Sequence, residues 1–461
     1  MVGIKKSLIV LLLLFLTSCT IDFGNNDNPK PVTHTCSEFI ETGGEDVNCG
    51  DEYEAVVKCS ECGKVKETIT KIKEHEEITE RVEPTCSKDG YIKTYCQNCG
   101  EVSYMGTLKK TGVHDYQYEI VKEATKYTLG TKKLWCKGCG DIIRTVPYAA
   151  NGFSSHGALS VDGADLVDQD GNKFQLVGLS THGIQWFGKY VNFETLDAIH
   201  NEFYNNVFRF SLYTAEGGYC EAGYAKREEL YQKVIEGVKA ATLCDCYAII
   251  DWHMLGADDP NDKNPLYYFK EAKEFFARIS LELKDYDNVL YEIMNEPCGS
   301  TTWADCKQYA NAIIPIIRKN TNAIILVGNP KWTSDLASVK KSPLTGYDNI
   351  MYTYHFYANG SYSYQTVINF YESGFPVFIS EHGGMKSDGD GAIDYTSIKK
   401  WYNALDERGI SYVAWNISNS KGSASIIKQN DITMTDFSDE HLKEWGIYYK
   451  SHLRSKIIGL E

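Results

Sequence analysis

Val289-Leu290-Tyr291-Glu292-Ile293-Met294-Asn295-Glu296-Pro297 is the stretch that decides the fold. Its first six residues form a short, apolar, β-prone run of the kind a parallel strand buried on both faces requires. The polar Asn295 and Glu296 stand at its carboxyl end. Phe378-Ile379-Ser380-Glu381-His382-Gly383 repeats the arrangement 85 residues further on. In a closed (β/α)8 barrel the carboxyl ends of all the strands ring one mouth, so Glu296 and Glu381 are expected to meet across a single cleft.

Outward from this stretch, strand-like runs fall at 175–178, 206–210, 247–251, 289–294, 323–327, 350–354, 376–380 and 410–414. Amphipathic stretches such as 230–242 and 272–283, with apolar residues recurring three and four apart, alternate with them. The pattern predicts an α/β chain with a (β/α)8 TIM barrel over 151–461, a length sufficient for the whole barrel and a large core.

The segment before the barrel reads differently. Lys5-Lys6, the apolar run from Leu8 to Leu16 and then Thr17-Ser18-Cys19 resemble a bacterial lipoprotein signal over 1–19. The run is too short to span roughly 30 Å of hydrocarbon. Cleavage before Cys19 would leave that thiol lipidated, giving an exported, cell-surface protein held to the membrane by a lipid anchor. Residues 20–35 are polar and rich in turn formers, as a flexible tether would be.

From 36 to 150 the chain is cysteine-rich: nine of its 15 cysteines lie between Cys36 and Cys139. Cys49, Cys59 and Cys62 share a C-x9-C-x2-C spacing with Cys86, Cys96 and Cys99, and Gly63 or Gly100 follows each set. A third, degenerate copy keeps Cys136 and Cys139 but has Lys126 where its first cysteine would stand. His34, His75 and His114 precede the sets. Three thiolates and one imidazole per copy suit tetrahedral zinc. The competing reading is a disulfide framework, which an exported chain would allow. The segment is expected to act as a spacer or attachment module.

Composition narrows the partners. A formal net charge of -15 repels phosphate backbones, which argues against a nucleic-acid partner. The 32 tyrosines and 13% aromatic content are compatible with stacking on neutral sugars.

Seven motifs in order carry a family resemblance: Val177 to Gly188 around His182 and Trp186, Asn206-Val207-Phe208-Arg209, Ile249-Ile250-Asp251-Trp252-His253, Asn295-Glu296-Pro297, His355-Phe356-Tyr357, Ser380-Glu381 and Trp415. Together they strongly resemble glycoside hydrolase family 5, in particular its bacterial endoglucanases. The resemblance implies a retaining endo-β-1,4-glucanase acting on cellulose and related β-glucans. It assigns Glu381 as nucleophile and Glu296 as acid and then base. Arg209 would hold Glu381 ionised, while the charge of Glu381 and partial desolvation would keep Glu296 protonated. Asn295 would bond the sugar 2-hydroxyl, and His253, His355 and Tyr357 would orient the carboxylates and the sugar. Trp415 would floor the reacting subsite, with His182, Trp186 and Tyr213 on the glycone side and Trp332 as an aglycone platform. No metal or organic cofactor is implied for hydrolysis, and a monomer is expected. An endo-β-mannanase, a broad β-glucanase and a noncatalytic glycan-binding protein are the alternatives.

Two positions depart from the family pattern. His382 follows the nucleophile where a large aromatic is usual, placing a second titratable group beside it. After Trp415 the usual Lys-Asp-Glu pattern is replaced by Asn416 to Gly422. Lys421 is shifted by one position and the acidic residue is absent, which puts one glycone contact and the substrate preference in doubt.

Overall fold

The computed structural model describes residues 18–20, 33–125, 128–255 and 262–458. The signal peptide and tether expected at 1–19 and 20–35 fall almost entirely outside the described residues, the Cys19 side chain included, as does Lys126. The chain divides into a first unit ending at Asp115 and a second running from Tyr116 to Glu461.

In the first unit, two three-stranded antiparallel sheets follow one another, Phe39–Thr42, Glu52–Cys59 and Val65–Ile72, then Glu77–Val82, Gly90–Cys96 and Val102–Leu108. The middle strand of each ends at a cysteine that opens a Cys-x-x-Cys-Gly turn. Gly63 and Gly100 close these turns at φ 70° and 77°, a left-handed backbone that favours glycine.

The second unit begins with a third such sheet, Tyr116–Lys122, Gly130–Cys136 and Ile142–Tyr148. The sequence places these strands with the cysteine-rich segment, whereas the structure groups them with the barrel. Side chains account for this. Tyr116 stacks on Phe193 with ring centroids 4.9 Å apart, and the Tyr118 hydroxyl donates to Asp197 of the helix Phe193–Phe203.

Eight parallel strands close the barrel: Val177–Thr181, Val207–Tyr213, Tyr247–His253, Val289–Glu292, Ile325–Val327, Ile350–Tyr357, Val377–Gly383 and Tyr412–Ile417. All eight match expected strands, and every residue in them is buried. Several of the helices between them are started by polar side-chain caps. Asn192 accepts from the Thr195 N–H at 2.9 Å, and Thr302 and Asp305 form a reciprocal capping box at the helix Trp303–Arg318.

Alternation along each strand builds the barrel interior in layers. Val207, Ile249, Leu290, Leu326, Met351, Phe378 and Val413 pack together with Leu159, Leu166 and Phe174, in and beside the two-stranded hairpin Ser160–Asp162 and Asp165–Val167, and plug the amino-terminal end. Two residues further along their strands, Arg209, Asp251, Glu292 and Ser380 point into the same interior and are wholly buried. The apolar plug closes one end to water and leaves the other end polar.

Candidate active site

The polar layer is organised by Arg209. Its Nε donates to Glu292 Oε2 at 2.6 Å, its Nη2 to Asn295 Oδ1 at 2.7 Å, and Nη2 also lies 3.0 Å from Asp251 Oδ2. Its Nη1 reaches Glu381 Oε2 at 3.4 Å. Arg209 reaches Glu381 as the resemblance implies, but its shortest ion pair is with Glu292, and three acids share its charge. A buried guanidinium requires such pairing, because an uncompensated charge in this interior is prohibitively unfavourable. Burial pushes the Glu292 carboxyl up, yet Arg209 and the nearby His355 ring, 3.8 Å away, outweigh this and hold it at about 2.

Glu381, at the carboxyl end of its strand, accepts from the Tyr357 hydroxyl at 2.7 Å in addition to Arg209. Burial raises its carboxyl above the ordinary value; His355 and Arg209 oppose this, and the negative charge of Glu296 reinforces it. Glu296 Oε1 lies 2.7 Å from His355 Nδ1, and oxygens of Glu296 and Glu381 lie within 4.8 Å of each other. His355 Nε2 donates to Ser380 Oγ at 2.9 Å, and that hydroxyl donates to Glu292 Oε1 at 2.7 Å. Although burial opposes its charge, the carboxylates of Glu292, 3.8 Å away, and of Glu296 push the His355 ring up to about 10. A continuous chain of polar contacts therefore runs Glu296, His355, Ser380, Glu292, Arg209, Glu381.

His253 is fixed in the opposite state. Its Nδ1 donates to Asp251 Oδ2 at 2.6 Å, leaving Nε2 to accept from Asn295 Nδ2 at 3.3 Å. Burial and the charge of Arg209 push it down to about 3, so the ring is neutral. It lies in a stack between Tyr213, 4.1 Å away, and Trp415, 5.3 Å away. His182 stands 5.2 Å from Trp415 and is pushed down to about 4, chiefly by burial.

These groups line a cleft of about 560 Å3 that includes His182, Tyr213, His253, Asn295, Glu296, Trp332, Tyr357, Glu381 and Trp415. Trp186 flanks it, 5.1 Å from Tyr213 and half exposed. Trp332, also half exposed, lines the cleft and is presented by an unusual turn. Lys331, Trp332 and Thr333 are consecutive non-glycine residues with φ of 62°, 54° and 53°. Such backbone persists only where neighbours impose it. Here the Trp332 N–H donates to the Pro297 carbonyl at 3.0 Å, and Asn329 Nδ2 to the Thr353 carbonyl at 2.7 Å. The platform is thereby tied to the stretch that carries Glu296.

Lys421 is not brought to the cleft. Its side chain is exposed, and Lys443 Nζ fastens the loop by the carbonyls of Ser420, Lys421 and Gly422 at 2.6, 3.1 and 2.8 Å. Tyr362, Ser387, Asp388 and Gly389, not singled out in the sequence, line the cleft instead. His382 also departs from expectation. It faces away from the cleft, with Nδ1 donating to the Val413 carbonyl at 2.8 Å and Nε2 3.0 Å from the Tyr402 hydroxyl. Burial pushes it down to about 3, so it adds no titrating charge beside Glu381 at neutral pH. Glu292 and Asp251 carry no assigned role in the sequence reading. The available signal is an acid inside a run buried on both faces, which must find a partner.

The cysteine sets converge differently from their sequence grouping. Cys59 and Cys62 meet His34 and Cys36, while Cys49 meets His75, Cys96 and Cys99; Cys86 is in neither group. Cys36 was not among the expected ligands.

Residues 167–421 match the family model for cellulase, glycosyl hydrolase family 5. Endoglucanase A of Butyrivibrio fibrisolvens is 43% identical over 297 residues, covering 64% of this chain and 68% of the relative. An endoglucanase of Clostridium saccharobutylicum is 36% identical over 318 residues, covering 68% and 69%. The solved catalytic domain of the Thermobifida fusca endoglucanase Cel5A is 33% identical with a TM-score of 0.61, covering 66% of this chain and 99% of that domain.

Proposed function

The chain belongs to glycosyl hydrolase family 5, the cellulase family, and from that premise we propose that it is a retaining endo-β-1,4-glucanase acting within cellulose and related β-glucan chains. It is a glycoside hydrolase whose relatives are endoglucanases. One observation carries the finer reading: carboxylate oxygens of Glu296 and Glu381 lie within 4.8 Å of each other across the cleft. Carboxyl groups about 5–5.5 Å apart leave no room for an intervening water, whereas inverting enzymes hold them about 6.5–9.5 Å apart.

In the first step a Glu381 oxygen attacks the anomeric carbon as the bond to the leaving oxygen breaks. Glu296 delivers a proton to that oxygen. Glu381 is left esterified to the sugar, and the shortened chain departs. In the second step Glu296 takes a proton from water, whose oxygen attacks the same carbon and releases Glu381. His355 Nδ1 lies 2.7 Å from Glu296 Oε1 and so stands where it can pass a proton to and from that carboxyl. His355 in turn is held by Ser380, Glu292 and Arg209, which keep positive charge close to both carboxylates without exposing it to water. Tyr357 holds Glu381 Oε1, which leaves Oε2 as the oxygen nearer to Arg209. Trp415, His182 and Tyr213 form an aromatic cluster in the cleft and Trp332 adds a further aromatic face, suited to flat sugar faces.

The same reading has the protein exported and anchored through lipid at Cys19, acting as a monomer. The cysteine-rich segment between tether and barrel is held by structural zinc and takes no part in hydrolysis. The test is reducing-sugar release by the purified full chain from carboxymethyl-cellulose, mixed-linkage β-glucan and mannan, beside Glu296→Gln. Release from the β-1,4-glucans that is lost in the variant supports the reading. Preference for mannan moves the substrate to β-mannan, and binding without release on any of the three leaves a glycan binder.

A further inference from the structure

Among the described residues of the first unit, those that are fully buried are Cys36, Ala55, Cys59, Cys86, Gly90 and Cys96. A fold of two small sheets with four cysteines in that set has no apolar core of ordinary kind. Domains this small are commonly stabilised by metals or disulfides. The sulfurs gather in threes, each set with a histidine. Cys36 Sγ is 3.5 Å from Cys62 Sγ, and His34 Nε2 is 3.2 Å from Cys59 Sγ. In the second group Cys49 Sγ is 3.6 Å from Cys96 Sγ, and His75 Nδ1 is 3.3 Å from Cys99 Sγ. A disulfide places its sulfurs about 2.05 Å apart. Zinc bonded to sulfur at about 2.3 Å in a tetrahedron sets the sulfurs about 3.8 Å apart, close to the observed spacing.

Two further features point to metal ligands. The ring nitrogen of each histidine that faces away from the sulfurs meets a carboxylate, His34 Nδ1 with Glu61 at 3.0 Å and His75 Nε2 with Glu101 at 3.4 Å. Such a carboxylate fixes the tautomer and directs the other nitrogen to a metal. In addition, the backbone N–H groups of Glu61 and Cys62 donate to the Cys59 sulfur, and those of Asn98 and Cys99 donate to the Cys96 sulfur. The turns of the two Cys-x-x-Cys motifs are thus folded around thiolates.

We propose that the first unit holds two zinc ions in interleaved sites, one on His34, Cys36, Cys59 and Cys62 and the other on Cys49, His75, Cys96 and Cys99. The inference deepens the zinc reading given above and rests on it. Its new content is that Cys49, lying in sequence between the ligands of the first site, belongs to the second. The backbone explains why. The Cys49 loop is joined to the chain before His75 by Gly50 N–H to the Lys73 carbonyl at 2.9 Å and Lys73 N–H to the Asp51 carbonyl at 3.0 Å. The second metal therefore ties the loop of the first sheet to the turn of the second sheet, and the two sheets cannot be metallated as independent beads. Binding of a structural zinc is itself folding free energy in such small units.

The test is zinc content per full-length chain, purified under reducing conditions without chelator. Cys49→Ser, Cys59→Ser and Cys96→Ser are each expected to lose one zinc relative to the wild type. The double variant Cys49→Ser/Cys96→Ser should lose one, and Cys49→Ser/Cys59→Ser should lose two. Loss of only one in the latter overturns the interleaving and leaves the zinc reading standing. A wild-type chain without zinc overturns both. Because a variant can misfold, maleimide labelling gives a second readout. In Cys96→Ser, Cys49 should become reactive while Cys36, Cys59 and Cys62 stay protected; the reverse pattern refutes the assignment. Glucan hydrolysis measured on the same samples separates a failure here from a failure of the enzymatic reading.

Discussion

Glu292→Gln keeps the shape of the side chain and removes one buried negative charge from beneath the reacting carboxylates. In the wild type this carboxylate accepts from Arg209 Nε at 2.6 Å and from Ser380 Oγ at 2.7 Å, with no exposure to water. Removing one partner of a buried ion pair costs about 3–5 kcal/mol when the other charge is left alone; Asp251 and Glu381 still face Arg209 here, so the loss falls at the low end, about 3 kcal/mol. A second route gives a similar figure. A carboxyl lowered from its ordinary 4.5 to about 2 carries about 3 kcal/mol of stability at neutral pH. The sign follows from the direction of the shift. With the folded value depressed, the contribution is fully present above the unfolded value of about 4.3 and is lost as pH falls toward about 2. The assay is denaturant unfolding of the full chain followed by tryptophan fluorescence, which reports mainly on the barrel because seven of the eight tryptophans lie beyond residue 151. At pH 7 the variant should be less stable by about 3 kcal/mol, and the gap should narrow steadily below pH 4.5. Hydrolysis should also slow, since Arg209 and, through Ser380, His355 lose their common anchor. A variant as stable as the wild type at pH 7, or a gap that does not change with pH, would refute the role given to Glu292.

Tyr357→Phe removes one hydrogen bond to a charged carboxylate, worth about 1.5–3 kcal/mol, so kcat/KM on soluble β-glucan should fall roughly 10- to 150-fold with the fold intact by circular dichroism. An unchanged rate would show that Glu381 does not depend on that hydroxyl. His382→Phe should leave the pH profile of kcat/KM superimposable on the wild type between pH 5 and 8, because the imidazole, pushed down to about 3, is neutral throughout. The same variant should be less stable by about 1–3 kcal/mol, having left the Val413 carbonyl without its partner. A displaced limb of the profile would place the ring in the cleft after all.

Much of the barrel was legible because the signals that specify it are local. Each strand is a short apolar run, the helices between them carry their own apolar period, and a polar residue at the end of a buried strand has one place to face. Glu296 and Glu381 could be found this way, and the ordered motifs added Arg209, His355, Tyr357 and Trp415. What the sequence could not give was the partnering among buried charges. Arg209 and Glu292 are 83 residues apart, and only the closed register of the strands brings them to 2.6 Å. Motif position does not fix spatial position at Lys421, where Lys443 pins the loop by its backbone carbonyls. His382 misled for a related reason: adjacent residues on a strand face opposite sides, so a neighbour of the nucleophile need not share its cleft. The cysteines show the same limit. Equal spacing suggested that each set closes on itself, while the pairing of the Cys49 loop with Lys73 carries that thiol to the next set.

The most direct test of the central claim is to trap the intermediate. Incubating the full chain with a 2-deoxy-2-fluoro-β-cellobioside bearing an activated leaving group slows breakdown of the glycosyl-enzyme, and peptide mass spectrometry then locates the sugar. The account predicts one fluorocellobiosyl group per chain, esterified to Glu381 and absent in Glu381→Gln. Hydrolysis of β-glucan with no adduct and with inverted anomeric product, or an adduct on another residue, would contradict it.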